Sequence, residues 1–87
     1  MTPDAVPTLW RLARIQDDAV RGRPVLLYPE GAVFLNDTGV AILELCDGRH
    51  TIADISRTLG SRYDADVTSD VREFIEHLVA RELIDVA

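Results

Sequence analysis

Two short apolar runs, Val25-Leu26-Leu27-Tyr28 and Ala32-Val33-Phe34-Leu35, are separated by Pro29-Glu30-Gly31. Proline presets φ for a turn and glycine tolerates positive φ, so the two runs read as the arms of a β-hairpin. A hairpin is marginal alone, so the rest of the chain must cover one of its faces. Upstream, Trp10 to Asp18 alternates, with Leu12 and Ile15 apolar and Arg11, Arg14 and Gln16 polar, and is expected to supply a first strand. Arg21-Gly22-Arg23-Pro24 marks the turn between that strand and the hairpin. Residues 1–9 hold Pro3 and Pro7 and show no period. They are expected to be a flexible N-terminal arm ahead of a single domain spanning 10–87.

The texture changes at Asn36-Asp37-Thr38, three residue types that cap helices. Val40, Ile42, Leu43, Leu45 and Cys46 follow at helical spacing, and Asp47-Gly48 is expected to close this helix. Thr51 followed by Asp54 fits an acidic capping box, and Ile52, Ile55 and Leu59 predict a second helix ending near Gly60. Asp64 and Asp66 lie in a linker and are expected to cap a third helix running from Val67 to about Arg81. Leu83 to Val86 is open between a closing strand and the end of that helix. The predicted architecture is α+β: a three-stranded antiparallel sheet packed on a three-helix, winged helix-turn-helix-like unit.

Charge decides against the usual occupant of such a scaffold. The net charge is −6, and residues 36–87 carry the whole excess, with five Arg against eleven acids. The third helix would enter the major groove in a winged helix. Here it bears Asp70, Glu73, Glu76 and Glu82 against Arg72 and Arg81, so a duplex would repel it. A DNA-binding regulator is therefore the weakest alternative. No run approaches the roughly 18 apolar residues that span a bilayer, and no signal-peptide layout opens the chain. A lone cysteine, Cys46, forms no internal disulfide, and a cytoplasmic location is expected.

Catalytic groups are sparse. Cys46 and His50 lack a third ligand-like partner, and two candidates do not make a metal site. Cys46 reads as a small buried apolar group, His77 as a surface residue, and the glycines as scattered turn residues. Neither an enzyme nor a cofactor is expected. A short sheet, in contrast, has edges whose free N–H and C=O groups can accept an extended peptide as a further strand. The candidate peptide-binding residues are Ala32, Val33, Phe34 and Leu35 on the strand, and Val67, Val71, Phe74, Ile75 and Leu78 on the third helix. The acidic surface of that helix favours a ligand with some basic character.

The run from Arg21 through Gly31, then Leu35-Asn36, then Leu45-Cys46-Asp47-Gly48 followed by Thr51-Ile52 and Ile55, closely resembles the PqqD family. Members of that family are the peptide chaperones of pyrroloquinoline quinone biosynthesis and prototypes of RiPP recognition elements. The resemblance implies binding of a PqqA-like precursor peptide through its leader, laid beside the third strand and against the third helix. It further implies presentation to a PqqE-like radical SAM enzyme, which cross-links a glutamate and a tyrosine of the peptide. Recognition of another ribosomally made, modified peptide is the alternative it leaves open. Glu82 stands where similar sequences often have Gly, so the end of the third helix is expected to differ. Monomer and homodimer both remain compatible with the sequence.

Overall fold

The computed structural model describes all residues, 1–87. Its elements run β1 (Pro7–Leu9), β2 (Arg14–Asp18), β3 (Arg23–Tyr28), β4 (Gly31–Phe34), α1 (Asp37–Glu44), α2 (Ile52–Tyr63), α3 (Thr68–Ala80) and β5 (Ile84–Val86). The fold is α+β, with a three-stranded antiparallel sheet ordered β2-β3-β4. A second, two-stranded sheet joins β1 to β5.

The central strand owes its place to its alternation. Leu26 is fully buried between Ile15 of β2 and Val33 of β4, its partners in the antiparallel register. Arg14, Leu27 and Ala32, and likewise Gln16, Val25 and Phe34, share the opposite face. The core behind the sheet comes from Ile42 and Leu43 of α1, Ile52, Ile55 and Leu59 of α2, and Val71, Ile75 and Leu78 of α3. Cys46 joins this core at 3% exposure. Burial pushes its thiol up to about 12, with the Asp47 carboxylate adding to the effect. The buried thiol packs as a small apolar group.

Several boundaries differ from the sequence reading, each for a visible reason. The first strand starts at Arg14 rather than Trp10, because the chain turns at 10–13, where the Ala13 N–H donates to the Trp10 carbonyl. The hairpin turn is Pro29-Glu30 alone, since Tyr28 pairs directly with Gly31. Gly31 does not adopt positive φ. An added Cβ there would lie 3.2 Å from the Tyr28 hydroxyl, so glycine answers a close approach of the tyrosine ring. The first helix ends at Glu44, and Gly48 (φ +79°) instead donates its N–H to the Pro7 carbonyl. The second helix passes Gly60 and stops at Tyr63, where Asp64 turns left-handed (φ 51°, ψ 48°). Asp64 thus terminates α2, whereas Asp66 accepts the Thr68 N–H at the start of α3.

The expected flexible arm is instead tied down. Residues 7–9 pair with residues 84–86, so the closing segment is a strand. Beyond the strand, the Pro3 and Ala5 carbonyls accept the N–H groups of Ala53 and Ile52. Two prolines and no period concealed a strand whose partner lies at the far end of the chain. No helix is long and apolar enough to cross a membrane.

Candidate functional site

Strand β4 pairs only with β3, which leaves one of its edges free. The Leu35 N–H donates to the Pro24 carbonyl at 3.0 Å, and this bond fixes the alternation. Gly31, Val33 and Leu35 direct their backbone groups toward β3, so Ala32 and Phe34 direct N–H and C=O outward. Both residues are exposed, and no strand pairs with this edge. Four backbone groups at two-residue spacing are a template for one additional strand.

Where β4 ends, the chain enters α1 through a tight cap. The Asn36 side chain accepts the Gly39 N–H at 2.7 Å. The Phe74 ring of α3 lies over this first turn, so close that an added Cβ on Gly39 would meet it at 3.1 Å. Between α1 and α3 a groove of about 550 Å³ is lined by Asn36, Thr38, Gly39, Ile42, Asp70, Glu73, Phe74 and His77. Asp70, Glu73, Phe74 and His77 form one stripe of α3, at the spacing that puts side chains on a common face. The groove therefore has an aromatic floor at Phe74 and carboxylates along one wall. A larger cleft, about 590 Å³, lies on a different stripe of α3, between Glu76, Val79 and Ala80 and the two chain termini.

The sequence-derived site residues divide into two groups. Ala32 and Phe34 are exposed on the free edge, and Val33 and Phe74 are half-buried beside the core. Leu35, Val67, Val71, Ile75 and Leu78 are core residues, with Val71, Ile75 and Leu78 fully buried. None of them is among the residues that line the groove. The apolar arc of α3 is wide because one stripe fills the core and only Phe74 reaches the groove. Asn36, Thr38, Gly39, Ile42, Asp70, Glu73 and His77 were missed as lining residues. The position of Gly39 three residues after a capping Asn was the one available signal of a close approach. Of the pair considered for a metal, Cys46 is packed in the core, while the His50 Nδ1 lies 2.9 Å from Asp47 Oδ1.

The outer face of the same sheet carries a second cluster that spacing did not reveal. Phe34 is 46% exposed, and the Arg21 and Arg23 guanidinium carbons lie 4.7 and 5.4 Å from its ring centroid. Both distances are within the range of cation–π attraction.

Comparison with known proteins agrees with this architecture. Residues 24–84 match the family model described as Coenzyme PQQ synthesis protein D (PqqD). A PqqA binding protein from Methylococcus capsulatus is 46% identical over 77 residues, covering 87% of this chain and 83% of that protein. One from Kluyvera intermedia is 42% identical over 86 residues, covering 97% and 94% respectively. The solution structure of the PqqD truncation of Methylobacterium extorquens PqqCD, a functional and stand-alone RiPP recognition element, superposes with a TM-score of 0.77 at 38% identity. That match covers 92% of this chain and 88% of the other. With a family model matched over most of its length and relatives this similar, the chain belongs to the PqqD family.

Proposed function

We propose that this protein binds the leader of a PqqA-like precursor peptide by strand addition to β4 and presents it to a PqqE-like radical SAM enzyme. The observation that carries the reading is the pair of outward-facing residues, Ala32 and Phe34, on an uncovered edge that leads into the Phe74 groove. Backbone bonds to β4 would set the register, and the groove would take side chains from the part of the peptide that passes α1. Asp70 and Glu73 favour basic residues there. Relatives that are themselves PqqA binding proteins support this choice of ligand. The protein's own contribution is to hold one end of a flexible substrate and raise its effective concentration at the partner's active site. Nothing in that role requires a catalytic side chain.

Calorimetric titration with the full precursor peptide, alongside a leader-truncated copy, tests the ligand. A Kd near micromolar (about −8 kcal/mol) that disappears with the leader is expected. Ala32→Pro tests the mode of binding. It removes an outward N–H while leaving every β3–β4 bond intact, a position where an edge strand tolerates proline. The variant is expected to melt like the parent and to lose the peptide. An Ala32→Pro protein that binds the leader unchanged would exclude strand addition.

A further inference from the structure

We propose that Arg21, Arg23 and Phe34 form a carboxylate-reading subsite that takes one acidic side chain of the strand added at β4. The inference rests on the strand-addition reading and adds to it the chemistry of one ligand position.

Three observations converge on this cluster. Phe34 is a large apolar side chain left 46% exposed, on the residue whose backbone also faces the free edge. Two guanidinium groups, at 4.7 and 5.4 Å, gather at its ring. Neither arginine has a carboxylate partner, because the ion pairs of the structure are His50–Asp47 and Arg57–Asp54. This is unexpected in a chain with fifteen acids and nine arginines. The acid paired with Arg23 in the strand register, Asp18, is occupied within its own turn. Its Oδ1 accepts the N–H groups of Val20 and Arg21 at 3.0 and 3.4 Å. Two cations are thus held side by side, at an exposed aromatic, with their hydrogen-bond donors uncommitted.

Geometry then identifies the group they would meet. In an added antiparallel strand, the residue opposite Phe34 exchanges backbone bonds with it and places its side chain on the same outer face. That side chain arrives beside the phenyl ring, within reach of both arginines. A guanidinium lying against a ring keeps its edge N–H groups free for a carboxylate, which it can bind in bidentate fashion. An aspartate or glutamate at this peptide position satisfies both arginines, whereas a lysine there is repelled. Asp70 and Glu73 line the groove that begins at Asn36, two residues beyond Phe34, so neighbouring parts of the site have opposite sign.

The test is a double-mutant cycle read by titration with the precursor peptide. The protein partners are the parent, Arg21→Gln/Arg23→Gln and Ala32→Pro. The peptide partners are the parent peptide and copies in which each acidic residue is singly replaced by its amide. The double arginine variant is expected to weaken binding by on the order of tenfold. One amide peptide should weaken binding equally, and combining the two changes should cost nothing more. Binding to the arginine variant should also respond less to added salt. If Ala32→Pro abolishes binding but the arginine variant binds like the parent, the subsite is wrong and strand addition stands. The subsite is equally wrong if the arginine loss adds independently to every peptide change. If Ala32→Pro binds normally, strand addition fails and this inference fails with it. Melting temperatures of all variants, measured in parallel, identify any loss that arises from unfolding.

Discussion

Glu82 adopts φ +62°, a conformation that crowds the Cβ of any residue with a side chain. The reason lies in how α3 stops. The Glu82 N–H donates to the Val79 carbonyl and the Leu83 N–H to the Leu78 carbonyl, both at 2.9 Å. These two bonds are the Schellman pair, which normally places glycine at the left-handed position. Leu83 is then buried in the core at 2% exposure. The sequence marked Glu82 as a departure, and the structure shows that the helix end is kept and the strain is accepted. Glu82→Gly relieves about 1–2 kcal/mol of steric cost. Glycine gives back about 0.5–1 kcal/mol through greater freedom in the unfolded chain. The expected net gain of about 1 kcal/mol should raise the melting temperature by about 5 °C. Thermal unfolding of Glu82→Gly beside the parent checks this, and an unchanged or lower value would mean the side chain has a compensating role. Residue identity was less informative at Phe74, whose neighbours Val71, Ile75 and Leu78 are as apolar but face the core.

At the scale of elements, the helix starts were legible because their chemistry is local. The Thr51 side chain accepts the Asp54 N–H while the Asp54 carboxylate accepts the Thr51 N–H, both at 3.0 Å, as the Thr-x-x-Asp spacing predicts. Facing was less legible, because alternation along β4 groups Ala32 with Phe34 without saying which pair looks outward. That decision is made by the helices, which arrive later in the chain and bring their apolar side chains into one core with Leu26, against which Val33 packs. The caps also make a prediction about acid. Asp54 is held below its ordinary range first by the Thr51 N–H, then by the Thr51 side chain, with Arg57 adding a smaller effect. Asp66 is lowered by its bonds to Thr68, and Asp47 first by His50 and then by the Arg49 N–H. A carboxylate whose folded pKa is depressed stabilises the fold above its unfolded value, about 3.9. That contribution is lost as pH falls through the lower, folded value. Stability should therefore be flat across neutral pH and decline below about pH 4. Asp54→Asn should start lower and decline less steeply, as denaturant titrations at pH 3 and pH 7 would show. Equal acid slopes for the variant and the parent would count against this cap as a source of the pH dependence.

For the molecule as a whole, the segment that looked least structured connects its most distant parts. On one side β1 pairs with β5, extended by reciprocal bonds between Val6 and Ala87 and by the Trp10 N–H to the Leu83 carbonyl. On the other side the Leu9 N–H donates to the Cys46 carbonyl and the Pro7 carbonyl accepts from Gly48. The segment therefore ties the end of α1 to the strand that follows α3, and these two helices wall the Phe74 groove. Local pattern could not disclose this, since a three-residue strand has almost no period and its partner lies at the opposite end of the sequence. Deleting residues 1–9 strips β5 of its partner strand and removes the fully buried Pro7 and the core-packed Leu9. The loss of that apolar contact is expected to cost about 3 kcal/mol. The shortened protein should melt at least ~10 °C lower, as scaled from its size. The consequence for binding separates two roles for the segment. No residue of 1–9 lines the groove or the β4 edge, so a purely local stabiliser would leave peptide affinity untouched at temperatures well below melting. A brace that sets the spacing of α1 and α3 would weaken affinity even where the shortened protein is fully folded. The bonding on both sides of β1 predicts the second outcome. Titration of the deletion variant at low temperature, with its folded fraction verified by circular dichroism, decides between them, and parental affinity would reduce the segment to a local stabiliser.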